Sequence, residues 1–267
     1  MAENNRVIIT LTTDFGTADG YLGIVKGVIL GIAPSVRLID ITHDIEPFEI
    51  RCGAWVLGNS YKWFPPRTIH LVVVDPAVGS TNQASIIVRS GDDHLFVGPN
   101  NGVLTPALRD PSARAHQILN PDFTLVRISN TFHARDVYGP AAAALALGRA
   151  IEEAGPRLSL SELAVQPEPR LSISEQGVEG EIVYIDRFGN LITNIPESAA
   201  LGDLCRIGHT EVPMRATYSS GRAAELVAFV ASHGHVEIAA TRGSARDRLR
   251  ASIGARVCIE KSVECKK

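Results

Sequence analysis

One segment limits the fold more than any other. Between Arg67 and Pro76 the chain reads Thr-Ile-His-Leu-Val-Val-Val-Asp, a nearly unbroken apolar run. A strand with one wet face alternates apolar and polar residues; this one does not. It suits a strand buried on both faces, as in a parallel sheet covered by helices. Its surroundings agree. Val7 to Thr12 and Val36 to Ile41 are β-branched runs, and Ala84 to Val88 and His94 to Val97 are further strand candidates. Between them Tyr21 to Ala33 is apolar at helical spacing, with Asp19 as a start signal and Pro34 as a stop. Ala54 to Trp63 and the alanine-rich stretch Tyr138 to Ala154 also read as helices. Strands alternating with helices predict a layered α/β domain with a largely parallel sheet.

The pattern changes after Gly155. Pro156 to Pro169 holds three prolines and no period, which predicts a linker. Beyond it come short strand candidates: Gly180 to Ile185, Leu191 to Ile195, Thr210 to Met214, Leu226 to Ala231, Val236 to Ala240 and Ala255 to Ile259. Short strands with Gly-rich turns and little helix predict a smaller all-β barrel or sandwich. The expected division is an N-terminal α/β domain over 1–160, a linker over 161–172 and a C-terminal β-barrel domain over 173–267.

With 267 residues, 45% of them hydrophobic, the chain can bury a sizeable core and is not of the disordered class. No apolar run approaches the roughly 20 residues that span a bilayer. The opening Met-Ala-Glu-Asn-Asn-Arg lacks the pattern of a signal peptide. Cys52, Cys205, Cys258 and Cys265 show no CxxC spacing, so they read as reduced thiols of a cytoplasmic protein. A net charge of -3 argues against a general nucleic-acid binder. A small-molecule protein is the expectation.

Polar residues collect where the predicted strands end, which is where open α/β sheets bind ligands. Asp14 follows the first strand and Asp75 follows Val72-Val73-Val74. A carboxylate in such a place is either a ligand group or the cap of the next turn. Thr131-Phe132-His133-Ala134-Arg135-Asp136 packs an aromatic, an imidazole, a guanidinium and a carboxylate into one loop. Asp186-Arg187-Phe188-Gly189-Asn190 lies between two strand candidates; it is either a plain hairpin turn or a platform on which Phe188 stacks and Asn190 hydrogen-bonds a planar ligand. Walker A, dinucleotide and G-x-S-x-G motifs are missing, and the eight histidines fall into no tight metal pattern.

Six motifs in order resemble one family over nearly the whole chain. They are Thr12-Thr13-Asp14-Phe15-Gly16, His43-Asp44-Ile45-Glu46-Pro47-Phe48, Val74-Asp75-Pro76 with Val78-Gly79, Gly98-Pro99 with Asn101-Gly102, Thr131-Phe132-His133 with Arg135-Asp136, and Asp186 to Asn194. The chain resembles the S-adenosyl-L-methionine hydroxide adenosyltransferases, adenosine-forming hydrolases related to fluorinases and chlorinases. The resemblance implies hydrolysis of S-adenosyl-L-methionine to adenosine and L-methionine by water attacking the ribose C5′, with no metal or other cofactor. It implies a cytoplasmic homotrimer with active sites between subunits, and neither a nucleic-acid nor a membrane partner.

The resemblance also assigns roles. Asp14 grips the ribose diol, and Phe48 and Phe132 line the ribose and sulfonium pocket. Asp186 and Asn190 hold the methionine amine and the nucleoside, with Phe188 stacked on adenine. Ser232 binds the methionine carboxylate, and the strand at Glu237 meets the adenine edge. The catalytic set is Asp75, which orients the water, with His133 and Asn82. The family has an arginine where this chain has Asn82, and an aspartate where it has Asn100. The missing charge leaves a second reading, a weak or inactive S-adenosylmethionine or adenosine binder. Halide transfer is a third, less favoured because an anionic Asp75 repels halide.

Overall fold

The computed structural model describes residues 6–218 and 225–260; Cys265 lies outside them. The chain divides into two compact units, Met1–Gln166 and Pro167–Lys267.

In the first unit, β1 (Ile8–Thr13) leads into α1 (Tyr21–Ile32), then β2 (Arg37–Thr42) and α2 (Ile50–Ser60). β3 (Ile69–Val73), β4 (Ser85–Arg89) and β5 (Leu95–Pro99) follow, then α3 (Thr105–Leu108), β6 (Arg114–Gln117), α4 (Gly139–Ala146) and β7 (Arg157–Leu158). The seven strands form one sheet in the order β2-β1-β3-β5-β4-β6-β7. All five residues of β3 are buried, as its unbroken apolar run requires. Ile69, Leu71 and Val73 join Ile9 and Leu11 in a core closed by Val25 and Ile29 of α1 and by the alanines of α4. On the opposite face Gly53 of α2 sits so close to Val74 that an added Cβ would lie 3.0 Å from its methyl group. β3 therefore runs between two helical layers.

The sheet is mixed rather than largely parallel. β1, β2, β3 and β5 pair in parallel, whereas β4, β6 and β7 add antiparallel pairings. The reason lies in connection length: only Ser90 to His94 separate β4 from β5, and a parallel crossover needs a dozen or more residues. The alanine-rich helix is also shorter than its composition suggests. α4 stops at Ala146, Gly148 takes a φ of +92°, and Ile151–Ala154 form a separate 3₁₀ turn. The proline-rich stretch supplies β7, which pairs with β6. Its end is tied back as well, because the Gln166 N–H donates to Thr105 Oγ1.

The second unit contains β8 (Ser172–Ile173), β9 (Gly177–Ile185), β10 (Leu191–Pro196), β11 (Leu204–Ile207), β12 (Thr210–Pro213), β13 (Leu226–Val230), β14 (His235–Ala240), α5 (Ala245–Leu249) and β15 (Arg256–Glu260). The strands form an antiparallel sheet in the order β12-β11-β15-β9-β10-β14-β13, with β8 beside β9. A bridge from Met214 to Ala228 brings the two ends of that path together, so the sheet is nearly a closed barrel. Inward residues such as Val178, Ile182, Ile195, Val236, Ile238 and Val257 fill it. Among the described residues no helix is long and apolar enough to cross a membrane.

A buried polar chain crosses the first sheet. Thr10 Oγ1 lies 2.8 Å from His70 Nδ1, and His70 Nε2 lies 3.1 Å from His94 Nδ1. His70 stacks on Phe96 with ring centroids 5.0 Å apart. Burial pushes the His70 imidazole down from its ordinary value to about 3, and the neighbouring His94 adds to the effect. Unfolding restores the ordinary value near 6.5, so between these values the unfolded chain binds the extra proton. Stability should therefore hold above about pH 6.5 and fall on acidification, by roughly 1.4 kcal/mol per pH unit per proton. Urea midpoints from pH 7 to 4.5 check this. The slope should shrink by about one proton in His70→Gln, and an equal slope would show that His70 is not held neutral.

Candidate functional site

Three chain segments meet at the C-terminal ends of the parallel strands. The first is the turn after β1. Asp14 begins it, Gly16 donates its N–H to the His43 carbonyl at 2.8 Å, and Thr13 Oγ1 lies 2.8 Å from His43 Nδ1. His43 in turn stands 3.1 Å from Asp40, which also pairs with Lys26. Asp14 Oδ2 accepts the backbone N–H of Phe48 at 3.0 Å. Phe48 itself has a φ of +71° and is 68% exposed. A bulky residue in the left-handed region is strained by its Cβ, and such strain collects at functional sites.

The second segment is the turn after β3. Asp75 Oδ1 accepts from Gln83 Nε2 at 2.7 Å, and Oδ2 accepts from the Tyr138 hydroxyl at 3.2 Å. Tyr138 is buried, and burial first, then the Asp75 charge, pushes its phenol pKa well up, so it stays a donor. Asn101 steadies the same strand end, donating from Nδ2 to the Val74 carbonyl at 2.8 Å. Gly79 has a φ of +83°, and a Cβ there would stand 2.0 Å from the Asn130 carbonyl oxygen. Only glycine lets this turn press against the third segment.

That third segment carries Phe132 and His133 into a π-helical turn, Ala134–Tyr138, ahead of α4. Turns of this i→i+5 type are rare and often mark functional sites. Here it stands His133 against Tyr138, with ring centroids 6.2 Å apart. Arg135 binds Asp136 through two hydrogen bonds, Nε to Oδ1 at 2.5 Å and Nη2 to Oδ2 at 2.8 Å. The Arg135 hydrogen bond holds the buried Asp136 below the usual carboxylate range. The same guanidinium lies 5.1 Å from the Phe132 ring centre.

These segments enclose a cavity of about 480 Å³, lined by Asp14, Phe48, Asp75, Phe132, His133 and Arg135 among others. Its size suits a small molecule. Five residues singled out from the sequence thus share one pocket. Asn82 does not line it. Its side chain is exposed, its backbone N–H bonds Ser80 Oγ, and the neighbouring Gln83 takes the place beside Asp75. Sequence reading also passed over Tyr21 and Phe15, which pack edge-on against Phe132. It passed over Tyr138 as a helix residue, since nothing in the sequence signals the π turn.

The second unit carries the remaining candidates. Asp186 Oδ1 accepts the N–H groups of Phe188 and Asn190, and Oδ2 accepts Asn190 Nδ2 at 2.9 Å. The carboxylate thus staples its own turn. Phe188 projects from that turn and is 75% exposed, while Asn190 Oδ1 is buried without a hydrogen-bond partner among the described residues. Ser232 is exposed in the turn between β13 and β14. Glu237 Oε2 lies 3.3 Å from His233 Nε2. The register puts the Asp186–Asn190 turn and the Ser232 turn at opposite ends of the β10–β14 ladder, with Glu237 between them. Among the described residues no group of three His, Cys, Asp or Glu side chains gathers as a metal site.

Comparison with known proteins gives this arrangement a family. Residues 9–155 match the SAM hydroxide adenosyltransferase N-terminal domain, and residues 180–258 match the corresponding C-terminal domain. The chain is 35% identical over 256 residues to the (R)-S-adenosyl-L-methionine hydrolase of Salinispora arenicola, covering 92% of this chain and 95% of that one. It is 37% identical over 246 residues to the enzyme of the same name from Thermus thermophilus, covering 89% and 93%. A fluorinase from Actinopolyspora mzabensis is more distant, at 26% over 276 residues, covering 90% and 92%. Among solved structures, an uncharacterized conserved protein from Thermotoga maritima superposes with a TM-score of 0.87 at 34% identity, covering 94% of this chain and 99% of that one. Matched over most of its length in both units, the chain belongs to the SAM hydroxide adenosyltransferase family.

Proposed function

We propose that this protein hydrolyses S-adenosyl-L-methionine to adenosine and L-methionine. The observation that carries the reading is the placement of Asp75 and His133 on the wall of the pocket that Asp14, Phe48 and Phe132 also line. Water attacks the ribose C5′ in line with the sulfur. The new O–C5′ bond forms as the C5′–S bond breaks, and the electron pair goes to sulfur, leaving a neutral thioether. That leaving group needs no acid and no Lewis acid, so the chemistry asks for no metal or redox cofactor. It asks for an aligned water, an acceptor for its proton and a dry wall.

Asp75 orients the water and receives the proton, and His133 fixes the water from the other side. Asp14 accepts the ribose hydroxyls; a carboxylate has lone pairs for both beside the Phe48 N–H. Phe48 and Phe132 supply apolar walls. The second unit's turn brings Asp186, Phe188 and Asn190 to the nucleoside and the methionine amine, and Asn190 Oδ1 is an acceptor without a partner among the described residues. The backbone at Glu237 meets the adenine edge. The Ser232 turn lies roughly 15 Å along the β10–β14 ladder from the Asp186 turn, too far away to take the carboxylate of the same methionine. The exposed aromatics Phe48 and Phe188 suit a homotrimer in which the second unit of one subunit covers the pocket of the next.

Chromatography of purified protein with the substrate tests the activity. Adenosine and methionine should form in equal amounts, at the same rate with EDTA. A product carrying chloride at C5′ in chloride buffer would move the chain to the halogenases. No product at any enzyme concentration would leave a binding protein. Light scattering should find three chains per particle, and full activity in a monodisperse monomer would exclude the shared site.

A further inference from the structure

We propose that Gln83 and Tyr138 are positioning residues that hold Asp75 with neutral donors only, and that the carboxylate left without a protein cation selects the positively charged sulfonium over its neutral thioether counterpart. This rests on the hydrolase reading above and goes beyond it, by naming what fixes the reacting carboxylate and which charge state the pocket prefers.

Three observations converge. The two Asp75 oxygens take hydrogen bonds from a carboxamide and a phenol, neither of which carries charge. Among the described residues no ion pair reaches Asp75, and Arg135, the guanidinium lining the pocket, is already committed to the buried Asp136. The pocket wall also holds Asp14, so its fixed carboxylates outnumber the cations free to offset them. An arginine at this place would hold the carboxylate and cancel its charge at once. Gln83 does only the first.

Chemistry gives the split a use. The substrate arrives with one positive charge on sulfur, and attraction between unit charges a few ångströms apart in a protein site is worth tenfold or more in affinity. As C5′–S breaks, the sulfur loses its charge. In the same step Asp75 takes the proton from water and loses its own. The two charges vanish together, and the neutral products no longer have the attraction that drew the substrate in.

The test compares two unreactive ligands by competition: S-adenosyl-L-homocysteine, neutral at sulfur, and an aza analogue with an ammonium in place of the sulfonium. The wild-type protein should favour the cation by about tenfold or more. Gln83→Arg should shrink that ratio to about threefold or less while still binding both ligands. Asp75→Asn should shrink it equally, which keeps the test open should the arginine variant fail to fold. Gln83→Ala should lower kcat about tenfold more than Asn82→Ala does, with KM little moved, because the unanchored carboxylate leaves its aligned geometry. A cation ratio unchanged in a folded Gln83→Arg protein and in Asp75→Asn would overturn charge selection. Equal kcat in the two alanine variants would overturn the positioning role. A wild type that forms no adenosine but keeps the ratio would sink the hydrolase reading and leave charge selection standing.

Discussion

Asp75→Asn should lower kcat by about 10²–10⁴-fold while KM rises by about tenfold, the share of substrate affinity that the charge supplies. The range is what a positioned general base contributes to proton transfer. The substitution keeps the shape of the side chain and removes the charge that accepts a proton. Its surroundings can absorb the change: Gln83 can turn its amide to offer an oxygen to the new NH₂ group, and Tyr138 still finds an acceptor. The excess of the kcat loss over the KM change points to an interaction made in the transition state. Steady-state kinetics by adenosine release is the measurement, with thermal unfolding to show that the variant is intact. Full-rate turnover would end the role assigned to Asp75.

Asp14→Ala should weaken binding of adenosine by about 10²–10⁴-fold. Hydrogen bonds to a charged acceptor are worth about 1.5–3 kcal/mol each, and two ribose hydroxyls would lose theirs, at about 1.4 kcal/mol per tenfold. The same oxygen pair holds the Phe48 N–H. Removing it also frees the left-handed backbone of Phe48, and with it one aromatic wall of the pocket. Asp14→Asn, which keeps an acceptor without the charge, should fall between the two. Calorimetry with adenosine alone separates binding from chemistry. Unchanged affinity would make Asp14 a residue that braces Phe48 and nothing more.

How far the sequence could be read depended on the kind of information each element carries. β3 was legible because its unbroken apolar run has few other solutions, and α1 because Pro34 ends a clean helical period. The mixed sheet was legible in principle, since Ser90 to His94 is too short for a crossover, but an alternating pattern of elements hides the direction of a hairpin. β6 and β11 escaped because Arg114–Gln117 and Leu204–Ile207 are short, and charged Arg114 and Arg206 break up their apolar character. At the site, Asp14, Phe48, Asp75, Phe132 and His133, picked out by strand ends and motif resemblance, line one pocket. Gln83 was not picked out. Which of two adjacent amides faces Asp75 depends on the path of the turn between β3 and β4, and counting seven residues from Asp75 leads to Asn82, on the solvent side. Motif spacing carries residue identity across a family, whereas the path of a turn belongs to the individual chain.

The π turn at Ala134–Tyr138 makes part of this site a matter of counting. In an ordinary α-helix two residues five apart point roughly 140° away from each other, given 3.6 residues per turn. The wider turn brings His133 against Tyr138, which donates to Asp75, although the helix that follows is regular. Loss of a single residue here would let the backbone relax into plain α-helix, with every remaining side chain chemically intact and the pair no longer aligned. The spacing of that turn, in whole residues, is thus as much a determinant of the pocket as any functional group, and exchanging side chains one at a time leaves it untouched.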